Sequence, residues 1–427
     1  MGALQAELSE FYKSCLCSTD HPVMIDGGSK DDLIRSIYEG TTSGKQLHYD
    51  TYKSYADKLM SGIEKGVALS ENPSANGMVA YIRNNVFAFS AAKTFTEQEI
   101  LSKLLLRADG TVKPYAEFKR DAQAAIKDFN TGYLQAEYTH AIASGQMAEK
   151  WLTLQANKIN FSYLQYRTVR DNRVRDEHKQ LEGIILPIDS PVWDIIYPPN
   201  GWNCRCDVIP SKGDGKVSNE AEVGKEGKAT IEQFFKNNVG KTGIVYDEGM
   251  PMYKNIKGNI QELDPVYNYN LKIPNKKDVP ALPASQTASQ YTEWWNSNLK
   301  PTDTGEKNFI LEDMFETKIK FTAPDEGFDP NKFRDHILRK GGENRYEYVH
   351  NVAEVLLKPD EVFTQKFKGE ITTVYIKYYK DAPLVLLVEN SMDNGTVAKT
   401  MYKVDNDHAS FHAVKRRGLL LYKKARI

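Results

Sequence analysis

The sequence predicts a multidomain chain with a mainly α-helical N-terminal region, an α+β core, and a C-terminal α+β domain with two helices and a four-stranded antiparallel sheet. Three observations lead there. The chain has 427 residues, more than one domain usually holds. Residues 132–157 carry an apolar stripe at helical spacing. The last hundred residues switch to short runs with period-two alternation, separated by turn signals. Composition is that of a globular protein, with 41% hydrophobic and 26% charged residues, which excludes a fibrous or disordered chain.

The helical region is predicted over 1–157. Residues 31–38 and 48–65 are short amphipathic stretches, and 114–129 starts with Pro114 and mixes Ala, Lys, Asp and Phe at helical spacing. In 132–157, Leu134, Tyr138, Ala141, Gly145, Ala148, Leu152 and Gln155 alternate steps of four and three and so share one face. Residues 161–170 bring in Tyr and Phe, with Leu164, Tyr166 and Thr168 on one face of an expected strand. A core of 158–212 is expected, then a polar and Pro-rich connector over 213–300. Within that connector, residues 211–228 read as loop, and a helix is expected from Thr230 and Gln233 to just before Gly240. Four prolines between 264 and 290 mark the main linker.

The C-terminal domain is expected over 301–427. Asp329-Pro330 opens one helix and Gly341-Gly342 closes it, and a second helix is expected from Tyr346 to Leu357. Strands follow at 371–379, 383–389, 396–404 and 418–424, with a hairpin turn at Asp393-Asn394-Gly395. From Asn331 to Ile427 there are 18 Lys/Arg against 12 Asp/Glu, or +6, in a chain of formal charge −1. A basic terminal module suits an anionic ligand such as nucleic acid. It also suits a plain solvated surface.

No run of about 18 apolar residues occurs, so no membrane span or membrane partner is expected. The N-terminus lacks the pattern of a signal peptide. The four cysteines form two Cys-x-Cys pairs, Cys15/Cys17 and Cys204/Cys206, too sparse for a secreted disulfide scaffold. A reducing compartment is expected.

The most specific stretch lies between Tyr166 and Pro210. It contains an Asp-x-Arg-Val-Arg-x-x-His run (Asp171 to His178), a Leu-Glu-Gly turn (Leu181 to Gly183), and Pro-Pro-Asn-Gly-Trp-Asn-Cys-Arg-Cys (Pro198 to Cys206). In that order these resemble the signature of the phage Mu F-type head morphogenesis family of minor head proteins. The preceding helical region, including residues 84–95, is similar too. The resemblance implies a head-protein core, a helical portion that meets portal and capsid proteins, and a place in the virion after assembly in the bacterial cytoplasm.

His178, Cys204 and Cys206 suit zinc by ligand type, with Asp171 as a candidate fourth ligand. The same residues also suit a hydrogen-bonded turn, in which His178 and Arg175 hold the Pro-rich loop and the cysteines are small buried side chains. No cofactor is required.

Members of that family often carry a C-terminal domain that resembles barnase–EndoU–colicin–RelE ribonucleases, and the element order here is similar. RNA cleavage by its own 2′-hydroxyl needs a base, an acid, and cations at the phosphate. His336 and Lys340 share a helix face, Lys377 and Tyr379 share a strand face, Thr400 lies on a neighbouring strand, and His408, His412, Arg416 and Arg417 precede the last strand. His336, Lys377, Tyr379, Thr400, Arg416 and Arg417 form the candidate catalytic set for a metal-independent ribonuclease. The competing expectation is a structural head protein whose basic domain binds RNA, DNA or a partner without catalysis. A zinc hydrolase is disfavoured, because no HExxH is present.

Overall fold

A computed structural model describes residues 2–12, 24–25, 27–42, 46–67, 73–214, 216–254, 256, 258–299, 307–339, 344–404, 411 and 415–425. Cys15, Cys17, Lys340, Gly341, Gly342, His408 and His412 lie outside them. The chain divides into two compact units. One spans 1–69 and 81–258; the other spans 70–80 and 259–427.

The first unit opens with helices α1 (Gly2–Phe11), α2 (Gly27–Tyr38), α3 (Tyr49–Gly66), α4 (Pro73–Leu104, up to Ala80 counted in the other unit), α5 (Tyr115–Ala125) and α6 (Gly132–Ala156). The α6 stripe holds over its first four turns, where Leu134, Tyr138, Ala141, Gly145 and Ala148 are buried; beyond them Trp151 and Leu154 are buried in place of the expected Leu152 and Gln155, which are half-buried. α3 passes close to α6 at Gly145. A Cβ there would meet the Ile63 carbonyl oxygen at 2.6 Å, so only glycine fits. No stripe announces α4, because its middle is apolar on every side. From Val86 to Ala92 each residue is buried, and a helix enclosed all round shows no amphipathic period.

A small sheet follows. β1 (Tyr163–Arg167) pairs antiparallel with both β2 (Ile185–Pro187) and β3 (Asp207–Ser211), in the order β2-β1-β3. Leu164 and Tyr166 face inward, as the alternation predicts. Two short helices, α7 (Asp176–Lys179) and α8 (Trp193–Ile196), sit in the loops of this sheet. Beyond it the expected loop is helical. α9 runs from Glu220 to Thr230, capped by the Asn219 side chain, which accepts from the Ala221 and Glu222 amides. The expected start at Thr230 is therefore the end of a helix. The cap and the first-turn glutamates Glu220 and Glu222 outweigh the two internal glycines. Gln233–Phe235 forms only a 3₁₀ turn, and α10 (Val239–Thr242) precedes a last 3₁₀ turn at Pro251–Tyr253.

The second unit corrects the expected four-stranded antiparallel sheet. Its sheet has seven strands and is mixed, in the order β10-β6-β7-β8-β9-β5-β4. β7 (Glu370–Lys377), β8 (Leu384–Ser391), β9 (Gly395–Lys403) and β10 (Leu419–Lys423) are the strands expected from the sequence. β4 (Phe309–Glu312), β5 (Lys318–Phe321) and β6 (Glu361–Phe367) are additional. β4 and β5 are four-residue strands interrupted by charges, too short for a clear period. β6 ends in the polar tight turn Lys368-Gly369, both at positive φ. β5 pairs parallel to β9 at Lys320 and Val397, and the other pairings are antiparallel.

Helix α11 (Ala288–Asn298) has a capping box between Thr287 and Gln290 and buries Trp295 against Phe309, ring centroids 4.9 Å apart. Phe309 stacks on Phe321 at 5.0 Å, and Phe321 meets Phe333 of α12 (Phe333–Arg339) at 5.0 Å. The second expected helix begins as a 3₁₀ segment, Arg345–Asn351, and becomes α13 only at Val352–Leu357. The Pro-rich stretch contributes Tyr269, whose hydroxyl donates to the Gly418 carbonyl (3.1 Å) and accepts from the Leu420 amide (3.1 Å).

Candidate functional site

Two groups of side chains can carry chemistry, one in each unit. In the first unit, the turn-rich stretch holds itself together through its own charges. The Glu182 carboxylate accepts from the Thr168 hydroxyl (2.7 Å) and from Arg170 (2.9 and 2.7 Å). Gly183 turns the chain at φ 80°, where a Cβ would be strained. Arg175 donates to the Trp202 carbonyl at 2.6 Å. A Cβ on Gly201 would sit 2.7 Å from that guanidinium, so a side chain there would have to displace Arg175.

These contacts place His178 beside both cysteines. Its Nδ1 lies 3.8 Å from Cys204 Sγ and 3.6 Å from Cys206 Sγ, and its Nε2 lies 3.3 Å from the Asn200 carbonyl oxygen. All three side chains are buried. Hydrogen bonding from Cys206 holds the Cys204 thiol well below the ordinary thiol range, against the opposing effect of burial. Cys206 is pushed up by Cys204 and by burial. One thiol of the pair ionises readily and the other does not, as expected for two coupled acids. Among the described residues, His178, Cys204 and Cys206 are the set of His, Cys and acidic side chains close enough to share a metal. Asp171 is committed elsewhere: it takes both Arg205 nitrogens at 2.7 and 2.9 Å, which hold its carboxyl down at about 2.

In the second unit, the six candidate catalytic residues fall into separate groups. His336 and Thr400 meet through Arg345, a residue the sequence reading passed over. Arg345 Nη1 donates to His336 Nε2 (3.1 Å) and to Thr400 Oγ1 (2.8 Å), and its guanidinium lies 5.1 Å from the Tyr402 ring centre. A guanidinium has no acceptor, so Nε2 of His336 must be the unprotonated nitrogen. That lone pair accepts the Arg345 N–H, so ring and guanidinium hold each other in place.

Lys377 and Tyr379 meet at Glu354 of α13. Lys377 Nζ donates to the Lys358 carbonyl at 2.7 Å and lies 3.7 Å from Glu354, and the Tyr379 hydroxyl donates to Glu354 at 3.2 Å. Burial, and then the Glu354 charge, push the Tyr379 phenol up, so it stays protonated. Register separates this pair from Thr400. Lys377 aligns with Leu384 of β8, whereas Thr400 aligns with Leu387. Three residues apart on one strand means opposite faces of the sheet.

Arg416 is fully buried and donates to both Glu361 oxygens, at 2.7 and 2.9 Å. Burial alone would lower its pKa; the Glu361 hydrogen bonds and charge more than reverse that. Arg417 is half-exposed, and its Nε donates to the Glu262 carbonyl at 3.0 Å. Spacing alone had grouped these two arginines; alternate directions at a turn send one inward and one outward.

Comparison with known proteins bears on both units. Residues 115–209 match the family model for Phage Mu protein F like protein, and residues 301–423 match the model for phage-Barnase-EndoU-ColicinE5/D-RelE like nuclease2. The Mu-like prophage FluMu F protein of Haemophilus influenzae is 28% identical over 162 residues, which is 32% of this chain and 38% of that protein. The putative capsid assembly protein F of Escherichia phage Mu is 48% identical over 48 residues, 11% of each chain. The chain therefore spans less than half the length of these curated relatives. No solved structure matches it. Among the described residues, no helix is long and apolar enough to cross a membrane. The chain thus carries a segment like Phage Mu protein F over residues 115–209 and a segment like a phage-Barnase-EndoU-ColicinE5/D-RelE nuclease over residues 301–423.

Proposed function

We propose that this protein is a minor head protein of a Mu-like tailed phage or prophage that acts in capsid assembly near the portal, and that its C-terminal domain is a metal-independent, toxin-like ribonuclease. It would be made in the host cytoplasm and carried in the virion. The observation that carries the assembly role is the match to the phage Mu protein named for capsid assembly. The observation that carries the nuclease role is the cluster of His336, Arg345 and Thr400, with Arg345 donating to both of the others, in a domain matched to a nuclease family.

In this reading the substrate phosphate draws Arg345 off Nε2 of His336, and that nitrogen then takes the proton of a ribose 2′-hydroxyl. The 2′-oxygen bonds to phosphorus as the bond to the 5′-oxygen breaks, and the leaving 5′-oxygen takes a proton from water. Arg345 stabilises the charge on the phosphoryl oxygens, and Thr400 orients Arg345. Arg417, half-exposed at the turn before the last strand, is read as a second cation for the RNA backbone. Lys377, Tyr379 and Arg416 are read as holding α13 and β6 in place through Glu354 and Glu361. Those internal pairings also favour a second reading, in which the domain binds nucleic acid without cleaving it.

The experiment uses the full chain, expressed during prophage induction. Portal or capsid protein should co-purify with it, and the purified chain should cleave total RNA in EDTA. His336→Ala should lower the rate by about 10²–10⁴-fold while RNA binding persists. Binding without cleavage in the unmodified chain would leave the non-catalytic reading. Recovery of no head component would overturn the assembly role.

A further inference from the structure

We infer that His178, Cys204 and Cys206 bind one zinc ion, which pins α7 to the chain entering β3. The argument is geometric. Zinc bonds sulfur at about 2.3 Å and imidazole nitrogen at about 2.0 Å, so a tetrahedral site separates N from S by about 3.6 Å. The observed Nδ1 to Sγ separations are 3.6 and 3.8 Å. One hydrogen bond to Nδ1 accounts for one sulfur only, and the Cys206–Cys204 hydrogen bond can hold the other thiol but does not require it at the same distance from Nδ1. The bare Nδ1 of a neutral imidazole has one lone pair and accepts one S–H, yet two sulfurs stand at nearly the same distance.

The tautomer agrees. Nε2 of His178 faces the Asn200 carbonyl oxygen, which can only accept, so the ring proton sits on Nε2 and the lone pair of Nδ1 points between the sulfurs. An imidazole that ligates through one nitrogen and donates from the other to a backbone carbonyl is the usual outer support of a zinc site. Asn200 is itself fixed. Its side chain accepts from the Tyr166 hydroxyl at 2.9 Å and donates to the Tyr197 carbonyl at 3.2 Å. Two thiolates and one imidazole select zinc over magnesium or calcium, which take oxygen donors. Two thiolates also cancel the charge of the ion, so the set can be buried without a net charge. Among the described residues no fourth His, Cys or acid joins the set, so the proposal rests on these three ligands.

The test uses the full chain purified without chelator, independent of any RNA or assembly readout. Metal analysis after reconstitution with zinc and desalting should give about one zinc per chain. Cobalt replacing it should show thiolate charge-transfer absorption and tetrahedral d–d bands. Cys204→Ser and Cys206→Ser should each weaken binding by at least about tenfold, while the double change Cys15→Ser/Cys17→Ser should leave it intact. Failure of the unmodified chain to retain zinc would overturn the proposal, as would a cobalt complex with no thiolate band. Metal that leaves with Cys15 and Cys17 would also overturn it. The first two results do not depend on whether any variant folds.

Discussion

At the scale of single residues, His140 shows how burial sets a proton's place. Its Nε2 donates to the Val245 carbonyl at 3.1 Å, and its ring is edge-on to Trp202 and Phe235, at 5.2 and 5.3 Å. Burial lowers its pKa from 6.5 to about 4, because an apolar enclosure opposes the charge and the carbonyl bond offsets only part of that. The sign follows. Above pH 6.5 both folded and unfolded chains are neutral at this ring, and stability is unaffected. Below 6.5 the unfolded chain takes a proton that the folded one refuses, so stability falls by about 1.4 kcal/mol per pH unit. The loss ends near pH 4, at roughly 3 kcal/mol. Urea unfolding of wild type and His140→Gln at about pH 7 and about pH 4.5 isolates this term from the carboxylates. The variant should lose less stability between the two conditions; equal losses would show that His140 does not titrate differently on folding.

At the scale of elements, the first unit is cross-braced by charges inside its helices. Lys93 of α4 and Glu137 of α6 are fully buried and 2.5 Å apart, and the Tyr12 hydroxyl donates to the other Glu137 oxygen at 2.6 Å. One turn on, Lys30 of α2 pairs with Glu97 of α4, and Tyr55 of α3 joins them. Burial drags Lys30 down to about 8 despite Glu97, and raises Glu137 despite Lys93. Such a pair adds little net stability, but breaking it leaves one charge without water or partner. Lys93→Met should therefore cost about 3–5 kcal/mol, and Lys93→Met combined with Glu137→Leu should restore most of it. Denaturation midpoints of both variants decide this; a single variant within about 1 kcal/mol of wild type would mean the pair carries no buried charge.

These residues also mark what could be read in advance. The stripe of α6 was legible because one face is wet. The charges inside α4 and α6 were not, since Lys93 and Glu137 look like surface residues until α3, α4 and α6 enclose them. His178, Cys204 and Cys206 were legible as ligand types, while their convergence depends on Arg175, Asn200 and Glu182 folding the intervening turns. In the second unit, His336 and Thr400 were legible by type. Arg345 was not, because its role comes from the 3₁₀ segment that carries it to both of them.

At the scale of the molecule, net charge explains less than it first suggests. Residues 331–427 carry +6, but over 301–427 there are 21 Lys/Arg against 20 Asp/Glu. Any hold on nucleic acid therefore rests on local groups such as Arg345 and Arg417, not on a field from the whole domain. The division into two units has a sharper consequence. Each has its own core, one around α4 and α6, the other on the seven-stranded sheet. Calorimetry should therefore find an unfolding enthalpy larger than the van't Hoff value, the mark of more than one cooperative step. Variants assign the steps. Lys93→Met removes a buried charge partner in the first unit. Arg416→Ala does the same to Glu361 in the second, at a similar cost of about 3–5 kcal/mol. Each should lower one transition by several degrees and leave the other in place. If both variants shift a single transition, the chain unfolds as one cooperative body, and the two cores are not energetically separate.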